Sequence, residues 1–294
     1  MLERHHLAVI RAVMEYGTIT RAAESLFLSQ SALSHTIRKL EEHLGTPLWH
    51  KEGREWRLTQ AGRFLHQLAL TVLPQFEHAE EQLRHYAGGR LGILRIGMEC
   101  HPCYQWLLNV VSPYLAAWPR VDVDVKQQFQ FKGIAALYAH EVDILITPDP
   151  VFGEHVVFTP VFDYEQVLVV HAGHPLSRQE VALPADLAHE TLITYPVPVE
   201  RLDIFQSFLL PAQRQVAEHK TIETTEILLQ MVAAGRGVTA LPRWLIAQQA
   251  QHLPLACLRL GDGIFKQIFL GVREADCELD YIQGFISMAR QTQV

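Results

Sequence analysis

Gln30, Ser31, Ser34, His35 and Arg38 lie on one side of a single helical pattern, and each can exchange hydrogen bonds with a nucleic acid. A glutamine pairs bidentately with adenine, serine and histidine read base edges more permissively, and an arginine meets phosphate or guanine. Such chemistry needs a rigid rod with a greasy back. Leu33, Ile37, Leu40 and Leu44 supply that back at helical spacing, and Gly45 provides the stop. A shorter helix precedes it, with Thr18 or Thr20 capping its start and Ser29 capping the start of the second. Ala22 and Ala23 keep side-chain bulk out of the crossing, which Leu26 anchors. Two helices joined by a turn of three or four residues form a helix-turn-helix, with double-stranded DNA as its partner. The bland alternative is an amphipathic bundle helix with a solvated face, and it leaves the paired caps and small-residue crossing unexplained.

Leu48-Trp49-His50 and Trp56-Arg57-Leu58 read as short strands around Lys51-Glu52-Gly53-Arg54. This hairpin is a wing, and Lys51, Arg54 and Arg57 are its candidates for phosphate or minor-groove contact. The combination of Ala22-Ala23, Leu26, Ser29-Gln30-Ser31-Ala32-Leu33-Ser34, Ile37, Leu40-Glu41, Leu44-Gly45, Leu48-Trp49 and Leu58-Thr59 with Gly62 resembles the N-terminal domain of LysR-type transcriptional regulators. The usual Leu-Phe-x-Arg that opens the wing stands here as Leu48-Trp49-His50-Lys51. The resemblance extends along the whole chain. It implies a regulator with an N-terminal winged helix-turn-helix, a long linker helix and a C-terminal two-lobed α/β effector domain of the periplasmic-binding-protein type, an α+β multidomain fold.

At 294 residues and 49% apolar content the chain can build more than one core, and no apolar run approaches a membrane span. Met1 is followed almost at once by a helical pattern, with no export signal, so the expected compartment is the cytoplasm. The net charge of −7 divides unevenly: residues 1–65 hold nine Lys and Arg against seven Asp and Glu, leaving sixteen against twenty-five elsewhere. The acid excess therefore lies outside the reading head.

In residues 60–87, Leu65, Leu68, Val72, Phe76, Ala79, Leu83 and Tyr86 mark a long helix with a narrow apolar seam, interrupted at Pro74. The seam suits the same helix of a second copy, so the expected assembly is a homodimer or homotetramer on a two-fold symmetric operator. Gly88-Gly89-Arg90 and Gly92 form a hinge. Strand-like runs at Ile93–Met98, Val121–Val125 and Val142–Thr147 then alternate with helical stretches near Gln105–Trp118 and Gly133–His140. A second set follows: strands at Glu165–Val170, Thr191–Tyr195, Val216–Thr221 and Gly237–Pro242, with helices near Leu202–Leu210 and Thr225–Ala234. The domains expected are 1–59, 60–90 and 91–294. The last splits into one lobe of about 91–161 with 266–294 and another of about 162–265; the return of Ile264–Val272 and Asp280–Arg290 to the first lobe is implied by the family resemblance.

Ligands of open α/β lobes sit beyond the carboxyl ends of strands. That rule nominates Glu99, Cys100 and His101 after the first strand and Thr147 after the third, with Tyr195, Pro196 and Thr225 on the facing wall. Cys100 and Cys103 admit three readings. Zinc is disfavoured because adjacent ligands wrap one tetrahedral ion poorly; a redox pair has the right spacing; plain pocket lining leads. Cys257 and Cys277 read as buried small hydrophobes.

Within the family, Glu99-Cys100-His101-x-Cys103-x-Gln105-Trp106-Leu107, Phe162-Asp163-Tyr164-Glu165, Tyr195-Pro196-Val197 and Arg201-Leu202-Asp203 resemble a branch that controls methionine-biosynthesis genes. That resemblance implies homocysteine as a small amino-acid effector, with Arg201 or cleft N–H groups for its carboxylate and Glu99 for its ammonium. The alternatives are another small amino acid, or a response to thiol or metal state through Cys100 and Cys103. No G-x-S-x-G elbow, phosphate-cradling glycine loop or H-E-x-x-H helix is present, so the expectation is a regulator without catalytic residues, cofactor or resident metal.

Overall fold

The computed structural model describes residues 2–52, 55–87, 91–100, 102–126, 133–249 and 252–292, with only the backbone for Lys51, Glu52, Glu55, Trp56, His85, Tyr86 and Gln249. Contacts divide the chain into two compact units, residues 1–92 with 138–141, and residues 93–137 with 142–294.

The first unit opens with α1 (Arg4–Tyr16), α2 (Ile19–Ser25) and α3 (Gln30–Leu44). Thr18 is the cap that operates at α2, accepting from the Arg21 amide at 3.3 Å, and Ser29 accepts from the Ala32 amide at 3.2 Å at α3. Gly45 closes α3 at φ 67°, the left-handed conformation its position requires. Leu33, Ile37 and Leu40 join Leu7, Ile10, Val13, Ala22 and Ala23 in one core. Leu44 departs from expectation, standing 39% exposed in the last turn, where the helix has already run past that core. Strands β1 (Trp49–Glu52) and β2 (Glu55–Leu58) pair antiparallel from Trp49↔Leu58 to Glu52↔Glu55, so the wing is longer than its apolar residues alone indicate.

Helix α4 (Gln60–Ala87) contains Pro74 and completes the unit. Its apolar seam divides. Leu65, Ala69 and Leu73 are buried in the same core as α1, with Leu68 and Val72 packed against it, and Arg4 and Arg11 of α1 pair with Glu80 and Glu77. The first half of the expected seam is thus already used within the chain, whereas Phe64, Phe76 and Leu83 remain exposed.

Between α2 and α3, Phe27 adopts φ 55° and is 97% exposed. A left-handed backbone costs an L-residue about 1–2 kcal/mol, which asparagine tolerates better, and this side chain recovers nothing by burial. Phe27→Asn is expected to raise stability by about 1 kcal/mol in urea unfolding followed by circular dichroism. An unchanged or lower midpoint would contradict that account.

The second unit contains β3 (Gly92–Met98), α5 (Cys103–Ala117), β4 (Val121–Lys126), α6 (Gly133–Tyr138), β5 (Ile144–Thr147), β6 (Val156–His171), β7 (Val181–Ala182), β8 (Thr191–Thr194), β9 (Glu218–Thr221), α7 (Thr225–Ala233), β10 (Thr239–Pro242), α8 (Arg243–Gln249), β11 (Leu255–Arg273) and α9 (Asp280–Gln291). One sheet runs β10-β6-β11-β5-β3-β4, with β7 added on β11; β8 and β9 form a parallel pair linked to it through Leu192↔Val238. Strands β6 and β11 are the spine of both lobes. Their one part, Val167–His171 against Leu255–Arg259, belongs with β10, and their other part pairs outward with β5 through Phe269–Val272. Each is longer than expected. Pro160 argues against a strand in Val156–Phe162, yet β6 tolerates it beside a register shift at Ile268/Phe269. The expected helix near 202–210 is a π-helical turn, Ile204–Leu209. Helix α9 packs on α5, where the Tyr114 hydroxyl donates to the Tyr281 carbonyl at 2.9 Å and the Tyr114 and Phe285 rings meet edge to face. Among the described residues no helix is long and apolar enough to cross a membrane.

Candidate functional site

Two surfaces have the makings of a site. On the first unit, Gln30, Ser31, His35 and Arg38 are exposed and Ser34 is half-buried, all along the open side of α3. Arg38 reaches His35 Nδ1 at 3.1 Å and lies 3.9 Å from Glu42, so its guanidinium is held over the helix. Glu41, on the opposite flank, accepts from the amides of Leu48 at 2.7 Å and Trp49 at 3.2 Å and thereby ties the wing to α3. That bracing role was not read from the sequence, although Leu40-Glu41 is part of its motif. Arg57 is exposed on β2; Arg54, the other wing candidate, lies outside the described residues, as does the side chain of Lys51.

On the second unit a cleft of ≈ 100 Å³ opens where β3, β5, β8 and β10 end. Glu99, Cys100 and Tyr195 line it as expected from the strand-end rule, and Arg201, which the family resemblance offered, lines it too. Thr147 and Thr225 stand one layer back. The Thr147 hydroxyl donates to Glu99 Oε2 at 2.8 Å and accepts from the Asp149 amide at 3.1 Å, while Thr225 shares a 2.8 Å hydrogen bond with the Tyr195 hydroxyl. Pro196 is exposed and outside the lining, and His101 lies outside the described residues.

The charges of the cleft form a chain. Arg201 Nη2 lies 3.7 Å from Glu99 and 3.5 Å from Asp149, and Lys266 Nζ lies 2.6 Å from Asp149 and 3.2 Å from Asp203. Three carboxylates thus share two cations. Glu99 is the least available of the three, because its Oε1 already accepts from the Gly133 amide at 3.0 Å. Burial pushes the Asp203 carboxyl above its ordinary range, against the pull of Lys266. Tyr164, opposite Lys266 in the β6–β11 register, is likewise pushed up by burial and then by Asp203 and Asp149. Among the described residues, Gln166 Oε1 on this wall is buried without a hydrogen-bond partner. A small ligand bearing both charges, with hydrogen-bond donors to spare, matches such a lining.

Cys100 and Cys103 are joined as a disulfide. In that state neither sulfur is a thiolate ligand for zinc. Cys257 and Cys277 are free and half-buried, and burial raises both thiols.

The profile of bacterial regulatory helix-turn-helix proteins of the lysR family matches residues 4–63, and that of the LysR substrate binding domain matches residues 87–293. The chain belongs to the LysR family. It is a LysR-type DNA-binding transcriptional regulator. This LysR-family chain is 37% identical over 292 residues to the HTH-type transcriptional regulator MetR of Escherichia coli K12, covering 99% of this chain and 90% of that one. The regulatory domain of a Neisseria meningitidis MetR superposes with a TM-score of 0.63 at 31% identity, over 68% of this chain and 93% of that one. Full-length CbnR in complex with its target DNA superposes with a TM-score of 0.68 at 19% identity, over 99% of this chain and 100% of that one, a likeness of fold.

The LysR-family cleft also contains residues that strand-end reasoning missed: Asp203, Tyr164, Gln166, Thr239 and Lys266. Tyr164 and Lys266 sit within the long strands, not at their ends, and face the cleft because β6 and β11 pass from one lobe to the other. A lysine set among Ile264, Phe265, Ile268, Phe269 and Leu270 was the available signal.

Proposed function

We propose that this regulator controls methionine-biosynthesis genes and binds homocysteine in the cleft of its effector-binding unit. The observation that carries the proposal is the small cleft with both signs of charge, in a chain 37% identical to a MetR along nearly its full length. Arg201 takes the ligand carboxylate. Asp203 and Asp149 take the ammonium, since Glu99 is engaged by Gly133 and Thr147. Tyr195 and Cys100 close on the side chain. Cofactor and metal have no part in this mechanism, and the compartment is the cytoplasm, where the DNA is. Paired copies, as homodimer or homotetramer, set two α3 helices on a two-fold symmetric operator, and the effector favours one arrangement of the assembly over another. Footprinting on DNA flanking its own gene tests this: homocysteine should change the protected pattern, and an identical footprint with no heat of binding would refute the effector.

Another small amino acid is the second reading, because the charge chain recognises the zwitterion without reading its side chain. Calorimetry with serine, cysteine, methionine and homocysteine separates the two.

At the DNA, Gln30→Ala is expected to remove about 1–3 kcal/mol of discrimination at one operator base while sparing non-specific binding. Arg38→Ala should weaken all duplexes similarly and lower the salt slope by about 1. Anisotropy titrations at several salt concentrations check both, and equal losses on operator and random duplex for Gln30→Ala would remove it from base reading.

A further inference from the structure

The disulfide presents its two sulfurs to different surroundings. Cys100 lines the cleft at 7% exposure, whereas Cys103 is 1% exposed, lies outside the lining and is the first residue of the 15-residue helix α5. The bond spans residues three apart, so its contribution through chain entropy is far smaller than that of a long-range bridge. Its placement suits exchange rather than folding. Resting on the reading that the ligand is a thiol amino acid, we propose that the bound ligand exchanges with the Cys100–Cys103 disulfide and is held as a mixed disulfide on Cys100.

The step needs no further reagent. The ligand thiolate attacks Cys100 Sγ along the cleft, a ligand–Cys100 sulfur bond forms, and the Cys100–Cys103 bond breaks. The ligand sulfur is oxidised and the Cys103 sulfur reduced. Cys103 departs as a thiolate at the start of α5, where the helix N-terminus favours negative charge, and takes up the proton that the ligand thiol released. Attack by Cys103 on the mixed disulfide reverses the reaction and frees the ligand. The charge chain of Arg201, Asp149, Lys266 and Asp203 holds the zwitterionic end, so the thiol is delivered to one sulfur. The consequence is selectivity: a thiol amino acid is captured, while a thioether or alcohol of similar shape binds only through its zwitterion.

Full-length protein purified without reductant is incubated with homocysteine, quenched with iodoacetamide and mapped by mass spectrometry. One homocysteine is expected on Cys100 with Cys103 alkylated, and no adduct with methionine or homoserine. The reaction should exceed that of 2-mercaptoethanol by more than about tenfold at equal concentration, because the cleft positions the thiol. Equal rates, an adduct on Cys257 or Cys277 instead, or free thiols at both Cys100 and Cys103 in the purified chain would overturn exchange. Calorimetry on wild type and on the Cys100→Ser, Cys103→Ser double variant keeps the two ideas apart. Homocysteine binding equally to both, without adduct, removes the exchange and leaves the effector; no binding to either removes the effector itself.

Discussion

Asp143→Ala is expected to lower the stability of the effector-binding unit by about 3–5 kcal/mol, the range for breaking a buried ion pair by removing one partner. Asp143 is 2% exposed just before β5. Its Oδ2 accepts from the Arg95 amide at 3.0 Å and its Oδ1 from Arg273 Nη2 at 2.7 Å, with the Arg95 guanidinium 3.8 Å away. Arg273 also donates to the carbonyls of Leu137 and Val142 and pairs with Asp276. One carboxylate therefore joins β3, the start of β5 and the end of β11, the strands on which Glu99 and Lys266 depend. Alanine would take from Arg273 the more deeply buried of its two carboxylate partners, leaving Asp276, and would remove the acceptor of the buried Arg95 amide. Urea unfolding reports the loss, and calorimetry should show effector affinity falling with it. A change under about 1 kcal/mol would mean water enters and substitutes for the carboxylate.

The reading head was legible because its instructions are local. A cap, an apolar repeat and a stop glycine act within one or two turns, and Thr18, Ser29, Leu33, Ile37, Leu40 and Gly45 do what those rules require. Leu44 and the divided seam of α4 escaped because burial depends on what packs nearby: the core shared with α1 takes Leu65, Leu68 and Val72, which periodicity alone assigns to any apolar partner. The α/β unit was legible as alternation but not in its spine, since Pro160 and the polar residues of β6 disguise a strand that changes lobes midway.

The cleft was half legible for the same reason. Glu99, Cys100 and Tyr195 follow strand ends, where sequence order predicts position, whereas Arg201 was reached only through the family resemblance. Lys266, Tyr164 and Asp203 come together only through β6–β11 register and the π-helical turn, relations between segments far apart in the chain. Thr147 and Thr225 were placed correctly at strand end and helix start, yet their hydroxyls are spent on orienting Glu99 and Tyr195. Spacing cannot distinguish a group that touches ligand from one that holds the group that does.

The second large effect is expected at a residue with no side chain. Gly62, in the first turn of α4, lies against the Leu48 carbonyl oxygen, and a Cβ there would sit well inside that oxygen's contact distance and 2.9 Å from Leu58 Cδ2. The same carbonyl accepts from the Thr59 amide at 2.9 Å, and the Thr59 hydroxyl accepts from the Gly62 amide at 3.0 Å while donating to the Pro47 carbonyl at 2.7 Å. This joint sets the wing against α4, just as Glu41 sets it against α3. Gly62→Ala would gain about 1 kcal/mol of helix propensity. Overpacking against fixed backbone opposes this, and the net loss should be about 2–3 kcal/mol, with the wing displaced. Operator affinity should fall more than the melting temperature alone explains, because the wing and α3 must meet one duplex together. Gly45→Ala is the control: its Cβ meets no atom of the described residues within 4 Å, so only the left-handed φ is penalised, by about 1 kcal/mol. Thermal melts and operator titrations of the two variants distinguish a steric joint from a conformational one, and equal losses would place Gly62 with Gly45 and dissolve the joint.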